Sequence, residues 1–84
     1  MSLSAQEIRD GLIDRLSRLL IVAPHELDPR EPLHRFGLDS VTTVTLVTEI
    51  EEWLGYRFRA NPLEEHPTIE ALAAFLAQET AKHA

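Results

Sequence analysis

The stretch Gly37-Leu38-Asp39-Ser40, followed directly by residues 41–50, decides how this chain folds. A glycine turn there brings an acid and a hydroxyl to the start of a predicted helix. Asp and Ser both favour the N-cap, because their side-chain oxygens accept hydrogen bonds from the unpaired N–H groups of the first turn. Capping is the simpler interpretation of these residues alone. The alternative is that Ser40 Oγ is an exposed attachment point for a phosphate-linked group, which suits a helix N-terminus electrostatically.

The second helix is predicted from Ser40 to about residue 54. At 100° per residue, one arc holds most of its apolar side chains: Leu46, Val47, Ile50 and Leu54, flanked by Thr43, Val44 and Trp53. The opposite face is mostly threonine and glutamate: Thr42, Thr45, Thr48, Glu49 and Glu52, with Glu51 at its edge. Val41 also falls on this face. A lone exposed valine needs no explanation, and the alternative is a docking surface beside Ser40.

Three further helices are predicted from capping and apolar spacing. The first covers residues 4–20, with Ser4 and Glu7 as a capping box and Ile8, Leu12, Leu16, Leu19 and Leu20 as its apolar stripe. A short third helix at 61–65 stops before Pro67. The last covers 68–80, capped by Thr68, with the stripe Ile69, Leu72, Ala73 and Leu76, and we expect residues 78–84 to fray. The fold class is therefore all-α, with three longer helices and one short one.

Residues 21–39 show no sustained period, and three prolines in this stretch forbid a long helix. Long loops in small domains are usually functional or wrongly assigned. Five apolar residues nevertheless anchor this one: Val22, Leu27, Leu33, Phe36 and Leu38. We therefore expect an ordered loop with a short turn near residues 24–27, and a special backbone conformation at Gly37 that aims Asp39 and Ser40 outward.

Composition excludes several classes of protein. Eighty-four residues are enough for a single domain spanning 1–84. Without cysteine, neither a disulfide nor a thiolate metal site nor a cysteine nucleophile is possible. A formal net charge of −6 argues against nucleic acid and anionic membrane surfaces as partners. The longest apolar run, residues 19–23, is far below the ~20 residues that span a bilayer. We expect a soluble, cytoplasmic protein.

No constellation in the chain predicts catalysis. The residues around Ser40 lack the Gly-x-Ser-x-Gly elbow of hydrolases, and an adjacent Asp39 cannot orient a histidine that serves the same serine. The four histidines are scattered without metal-ligand spacing: His25, His34, His66 and His83. We expect no metal and no enzymatic activity. The chain has one conspicuous hydroxyl and no catalytic residues arranged to activate it. This pattern is typical of a protein that other enzymes modify.

Two stretches resemble the acyl carrier proteins and related thiolation domains. Residues 33–41 are similar to the Gly-x-Asp-Ser loop-to-helix motif of that family, and residues 66–76 look like the Pro-Thr-x-x-x-Leu-Ala opening of the last helix in polyketide-synthase-type carriers. The resemblance implies a four-helix bundle. It also implies that a phosphopantetheinyl transferase moves 4′-phosphopantetheine from coenzyme A onto Ser40. The thiol of the arm then presents acyl thioesters to acyl-loading, condensing and tailoring enzymes of polyketide or fatty acid synthesis.

The resemblance also assigns surface roles. Asp39 flanks the attachment site, and partner recognition falls on the preceding loop and the second helix: Leu38, Val41, Thr42, Thr45, Thr48, Glu51 and Glu52. Several threonines stand where other carriers have acidic residues, which argues against purely electrostatic docking. Asp39 before the serine favours an acyl carrier over the peptidyl carrier of a non-ribosomal peptide synthetase. An unmodified, helical protein-interaction module is the alternative of a different class, and we expect a monomer in either case.

Overall fold

Four α-helices and two 3₁₀ turns make up the computed structural model, which describes residues 3–82. The helices are α1 (Ala5–Leu20), α2 (Ser40–Leu54), α3 (Pro62–Glu65) and α4 (Ile69–Lys82), and the turns are Pro24–Glu26 and Leu33–Phe36. Within the described range an isolated bridge between Pro32 and Thr68 is the nearest approach to a strand. The all-α prediction is therefore confirmed. Of the helices between residues 3 and 82, none has the length and hydropathy needed to cross a membrane.

The start of α1 is capped as the sequence indicates, whereas the end of α4 differs from the expectation. Ser4 Oγ accepts from Glu7 N at 3.1 Å, and Ser4 N donates to Glu7 Oε1 at 3.0 Å, which completes the capping box. The expectation of fraying from residue 78 is wrong up to Lys82, because Glu79 accepts from the hydroxyl of Tyr56 at 3.0 Å and pairs with Lys82 Nζ at 3.0 Å. Residues 83–84 lie outside the described range.

The core combines α1, α2, α4 and the long loop. Its buried apolar side chains are Ile8, Leu12, Leu16, Leu27, Leu33, Leu46, Ile50, Ile69, Leu72, Ala73 and Leu76. On α2, only Leu46 and Ile50 are fully buried, and Val47 and Leu54 are half-buried. Val44, predicted at the flank of the apolar arc, is 64% exposed.

Backbone hydrogen bonds attach the long loop to the start of α4. Leu33 N donates to Pro67 O at 2.7 Å, and Glu70 N donates to Pro29 O at 3.0 Å. The expected turn near residue 24 is present as the first 3₁₀ turn, whereas the second, Leu33–Phe36, was not predicted. These two hydrogen bonds hold the middle of the loop in place. The start of α2, which follows the loop, therefore has a fixed position relative to α4.

Gly11 marks a close approach of α2 to α1. A Cβ added at Gly11 would lie 2.6 Å from Trp53 Cζ2, which is closer than real Cβ contacts allow. Arg15, one turn further along α1, places its guanidinium carbon 4.0 Å from the centroid of the same ring. Trp53 is thus held between a glycine and a cation–π partner. This contact fixes the C-terminal half of α2 against α1.

The residue that ends α1 is strained. Ile21 has φ 57° and ψ 52°, in the left-handed region, and 91% of it is exposed, so almost no packing offsets the strain. That region costs a residue with a Cβ about 1–2 kcal/mol, while glycine loses about 0.4–1 kcal/mol through its freer unfolded state. We expect Ile21→Gly to raise the free energy of unfolding by about 0.5–1 kcal/mol in urea titrations. Ile21→Ala keeps the Cβ and should gain less; an equal gain would contradict the strain argument.

Candidate functional site

The turn before α2 settles which residue caps the helix. Gly37 has φ 78° and ψ 29°, a conformation that side chains disfavour, and it redirects the chain toward Asp39. Asp39 Oδ1 accepts from Thr42 N at 2.7 Å, and Asp39 O accepts from Thr43 N at 2.9 Å. Asp39 is therefore the N-cap, and Ser40 is the first residue of the helix. Of the two cap candidates in the sequence, only Asp39 has this role.

The hydroxyl of Ser40 has no structural role within the described part of the chain. Ser40 is exposed, and no hydrogen bond joins its Oγ to any residue between 3 and 82. By contrast, the Thr43 hydroxyl donates to Asp39 O at 2.8 Å, and the Thr45 hydroxyl donates to Val41 O at 2.9 Å. The side chain of Ser40 is thus free to carry a substituent without loss of a contact.

The electrostatic setting of Ser40 combines two opposing effects. The N-terminus of a 15-residue helix stabilises a nearby anion by about 0.3–1 kcal/mol. Hydrogen bonds from Thr42, chiefly its backbone N–H and then its side chain, lower the pKa of the Asp39 carboxyl below its ordinary value of 3.8. Asp39 is therefore charged at neutral pH and offsets part of the attraction for a phosphate. A phosphodiester fits here, yet it would not be held tightly.

The residues expected to recognise partners do not all have the same environment. Val41 is 75% exposed, and with Val44 it forms an apolar strip next to Ser40. Thr48 and Glu52 are exposed, whereas Thr42, Thr45 and Leu38 are half-buried. Glu51 differs from the rest, because its Oε2 accepts from Phe58 N at 2.9 Å. The side chain of Glu51 holds the connection from α2 to α3, a role that no local pattern in the sequence reveals.

The described residues around Ser40 include neither a metal-ligand cluster nor a histidine hydrogen-bonded to its hydroxyl. Between residues 3 and 82, no group of three His, Asp or Glu side chains is arranged to hold a metal ion. His83 lies outside this range. His34 borders a groove of about 150 Å³ that also contacts Leu38 and Thr43, but no hydrogen bond links it to Ser40. Among residues 3–82 the arrangement therefore offers an accessible hydroxyl to which no histidine is hydrogen-bonded.

Comparison with known proteins decides between the alternatives that the sequence left open. Residues 10–76 match the family described as "Phosphopantetheine attachment site". The chain belongs to the phosphopantetheine-binding carrier family. A domain of this family is the site of covalent 4′-phosphopantetheine attachment, so the resemblance, the cofactor and the carrier function expected from the sequence are confirmed.

Relatives of this carrier include both synthase segments and a small protein. A phenolphthiocerol/phthiocerol polyketide synthase of Mycobacterium tuberculosis is 33% identical over 85 residues; the alignment covers 96% of this carrier and 4% of the synthase. Acyl carrier protein TtuC of Teredinibacter turnerae is 29% identical over 76 residues, which cover 90% of this carrier and 87% of TtuC. The carrier therefore spans a small fraction of the synthases that it matches.

Solved structures confirm the bundle. The HMG-ACPI domain of the CurA module of Lyngbya majuscula superposes with a TM-score of 0.87 at 24% identity, covering 98% of this carrier and 83% of that domain. A free-standing peptidyl carrier protein of Acinetobacter baumannii gives 0.85 at 24% identity, with coverages of 90% and 95%. At these identities the likeness shows the fold alone, and it is shared by acyl and peptidyl carriers.

The cap of α2 gives this carrier a defined acid response. The pKa of Asp39 is lowered in the folded state, so the stabilisation it provides is complete above the unfolded value of about 3.8 and is lost as the pH falls through the folded value. We expect the urea midpoint of the wild type to fall more steeply between about pH 5 and pH 3 than that of Asp39→Asn, which keeps a capping acceptor but does not titrate. Parallel curves would contradict this assignment. Glu7, whose pKa is also lowered, is common to both proteins.

Proposed function

We propose that this chain is an acyl carrier domain of polyketide biosynthesis whose 4′-phosphopantetheine arm is attached to Ser40. One observation carries the proposal: an exposed hydroxyl without a hydrogen-bond partner among residues 3–82 stands at the first position of α2, directly after the residue that caps the helix. When attached, the arm supplies the thiol that holds acyl groups as thioesters. The chain itself lacks cysteine and provides the scaffold rather than the chemistry.

The polyketide assignment rests on the relatives. The synthase of M. tuberculosis is a polyketide synthase by name, and TtuC is an acyl carrier protein by name. Asp39 before Ser40 is in keeping with an acyl rather than a peptidyl carrier. We propose a phosphopantetheinyl transferase and the acyl-loading, condensing and tailoring enzymes of a synthase as partners. The domain has no catalytic role of its own in this proposal.

Mass spectrometry and thiol titration together test the attachment. The purified chain contains no cysteine, so a thiol reagent should find no thiol before modification. After incubation with coenzyme A and a broad-specificity phosphopantetheinyl transferase, we expect the mass of one 4′-phosphopantetheine group and one titratable thiol per chain. Coenzyme A without the transferase serves as the control. An unchanged mass would favour the unmodified interaction module instead.

Val41 offers a test of the docking surface beside Ser40. It is 75% exposed, so a charge placed there should not disturb the core. A charge placed at an apolar contact loses that contact and must also be desolvated without a partner, and about 1.4 kcal/mol corresponds to a factor of ten. We expect Val41→Asp to slow modification by about tenfold at low carrier concentration, with an unchanged far-UV circular dichroism spectrum. Ala74→Asp, at an exposed position of α4, is the matched control. Loss of helical signal in Val41→Asp would show a core role instead.

A further inference from the structure

The connection between α2 and α3 lines a second exposed groove, at the opposite end of α2 from Ser40. Residues 55–59 and Glu79 surround about 670 Å³ of this space. An adjoining recess of about 250 Å³ shares Tyr56, Phe58 and Arg59 and continues to Phe75. We call the two together the far groove. With a rise of 1.5 Å per residue over 15 residues, about 22 Å of helix separate it from the attachment site.

Unpaired positive charge is concentrated at this groove. Arg57 and Arg59 are exposed, and neither forms an ion pair or hydrogen bond with a residue between 3 and 82. Over the same range, Arg35 is the one other arginine whose side chain forms neither an ion pair nor a hydrogen bond. The remaining basic side chains have partners: Arg9, Arg18, Arg30 and Lys82 pair with carboxylates, and Arg15 with the Trp53 ring. The chain has a net charge of −6, and two of the three arginines that are unpaired among residues 3–82 flank a single residue, Phe58.

The floor of the far groove is aromatic and held in place. The ring centroids of Tyr56 and Phe58 lie 5.1 Å apart at 73°, and those of Tyr56 and Phe75 lie 6.3 Å apart at 84°. Phe58 N donates to Glu51 Oε2 at 2.9 Å, which fixes the backbone between the two arginines. The hydroxyl of Tyr56 donates to Glu79, whose charge is matched by Lys82. The two guanidinium groups therefore extend from a fixed platform.

We propose that the far groove docks an acidic segment of a partner protein that carries an aromatic or aliphatic anchor. Guanidinium groups bind carboxylates in bidentate geometry, and a fixed platform lowers the entropic cost of binding. The aromatic floor between Tyr56 and Phe75 accepts the apolar anchor, as buried aromatic side chains do at interface centres. Four carboxylates lie near the two arginines. Glu79 is matched by Lys82, and Glu51 accepts from Phe58 N. Glu65 on the rim, and Glu52 in a smaller recess beside Arg57, oppose the attraction. The proposal does not depend on modification of Ser40.

A peptide titration tests the proposal on the unmodified chain. The probe is a synthetic hexapeptide that alternates glutamate with tryptophan and leucine, added to ¹⁵N-labelled protein and followed by NMR. We expect concentration-dependent shifts at the amides of residues 55–60 and of Glu79, with Ser40 and Thr48 unaffected. The double variant Arg57→Glu with Arg59→Glu should weaken binding by about tenfold or more. The matched double variant Arg9→Glu with Arg18→Glu changes net charge equally at exposed ion pairs of α1, and we expect a loss below about threefold.

Several results would overturn the proposal. Equal losses in the two double variants would mean that the peptide responds to net charge alone. Equal binding of a peptide with lysine in place of glutamate would exclude recognition by the arginines. Inorganic phosphate that reproduces the shifts at the same concentration would indicate a simple anion site. Shifts at residues 55–60 that grow with protein concentration before any peptide is added would identify a second copy of the chain as the occupant.

Discussion

Ser40→Ala is expected to abolish modification completely while leaving the fold intact. After incubation with coenzyme A and the transferase, the variant should show neither a mass gain nor a titratable thiol. Its urea midpoint should correspond to a stability within about 0.5 kcal/mol of the wild type, since the lost hydroxyl makes no hydrogen bond to the described chain. Asp39 continues to cap α2 in this variant, and alanine is a better helix former than serine.

Ser4→Ala is the matched control for this experiment. Ser4 also stands at a helix N-terminus, but its Oγ accepts from Glu7 N at 3.1 Å and closes a capping box. The variant should lose about 1 kcal/mol of stability and should still accept one phosphopantetheine group. The two serines therefore separate a structural role from a functional one. A mass gain in Ser40→Ala would redirect the attachment to another hydroxyl and would refute the assignment of Ser40.

The helices of this protein are predictable because their signals are local. The capping box at Ser4 and the apolar spacing of α1 and α4 involve residues within four positions of one another. The start of α2 was predictable to the residue, but not the identity of its cap, because Asp and Ser suit that position equally well. The backbone at Gly37 decides in favour of Asp39. Because Asp39 is the cap, the hydroxyl of Ser40 is not needed for capping. The accessibility of this hydroxyl therefore depends on the turn at Gly37.

What the sequence could not show are contacts between distant residues. Glu51 holds Phe58 N across seven positions, Tyr56 reaches Glu79 across 23, and Leu33 N binds Pro67 O across the whole of α2. Periodicity reports which face of a helix is apolar, and it says nothing about which neighbour covers that face. The contacts of Glu51 with Phe58 and of Tyr56 with Glu79 hold the α2–α3 connection against α4, and the far groove lies along that connection. For the same reason Glu51, expected to meet partners, is already engaged within the chain.

Val44 lies at the flank of the apolar arc of α2, where periodicity alone does not show whether a side chain is covered. The apolar arc of α2 is wider than its fully buried part, which consists of Leu46 and Ile50. Leu46 has no exposed surface, while Val44, two residues earlier, is 64% exposed beside the attachment site. An apolar side chain left uncovered next to Ser40 is in keeping with the proposed docking surface. The two positions therefore provide a matched pair for a stability experiment.

Leu46→Ala is expected to cost about 3–5 kcal/mol of unfolding free energy, since truncating a fully buried leucine removes its burial and leaves a cavity. Domains of this size have roughly 4–12 kcal/mol in total, so the variant should lose a large share of its stability and unfold at a much lower urea concentration. Val44→Ala removes two methyl groups from a mostly exposed position and should cost below about 0.5 kcal/mol. Urea titrations followed by circular dichroism measure both differences.

Leu46→Met keeps the argument testable if Leu46→Ala does not fold, because a volume-conserving change should cost less than about 1.5 kcal/mol. The same three variants separate stability from docking. At temperatures where all three are folded, Leu46→Met should be modified by the transferase at the wild-type rate, because its side chain lies in the core away from any partner. Val44→Ala, although as stable as the wild type, should be modified more slowly, since Val44 contributes to the apolar strip beside Ser40. The opposite ranking would place the docking surface away from this strip and would leave the exposure of Val44 without a functional reason.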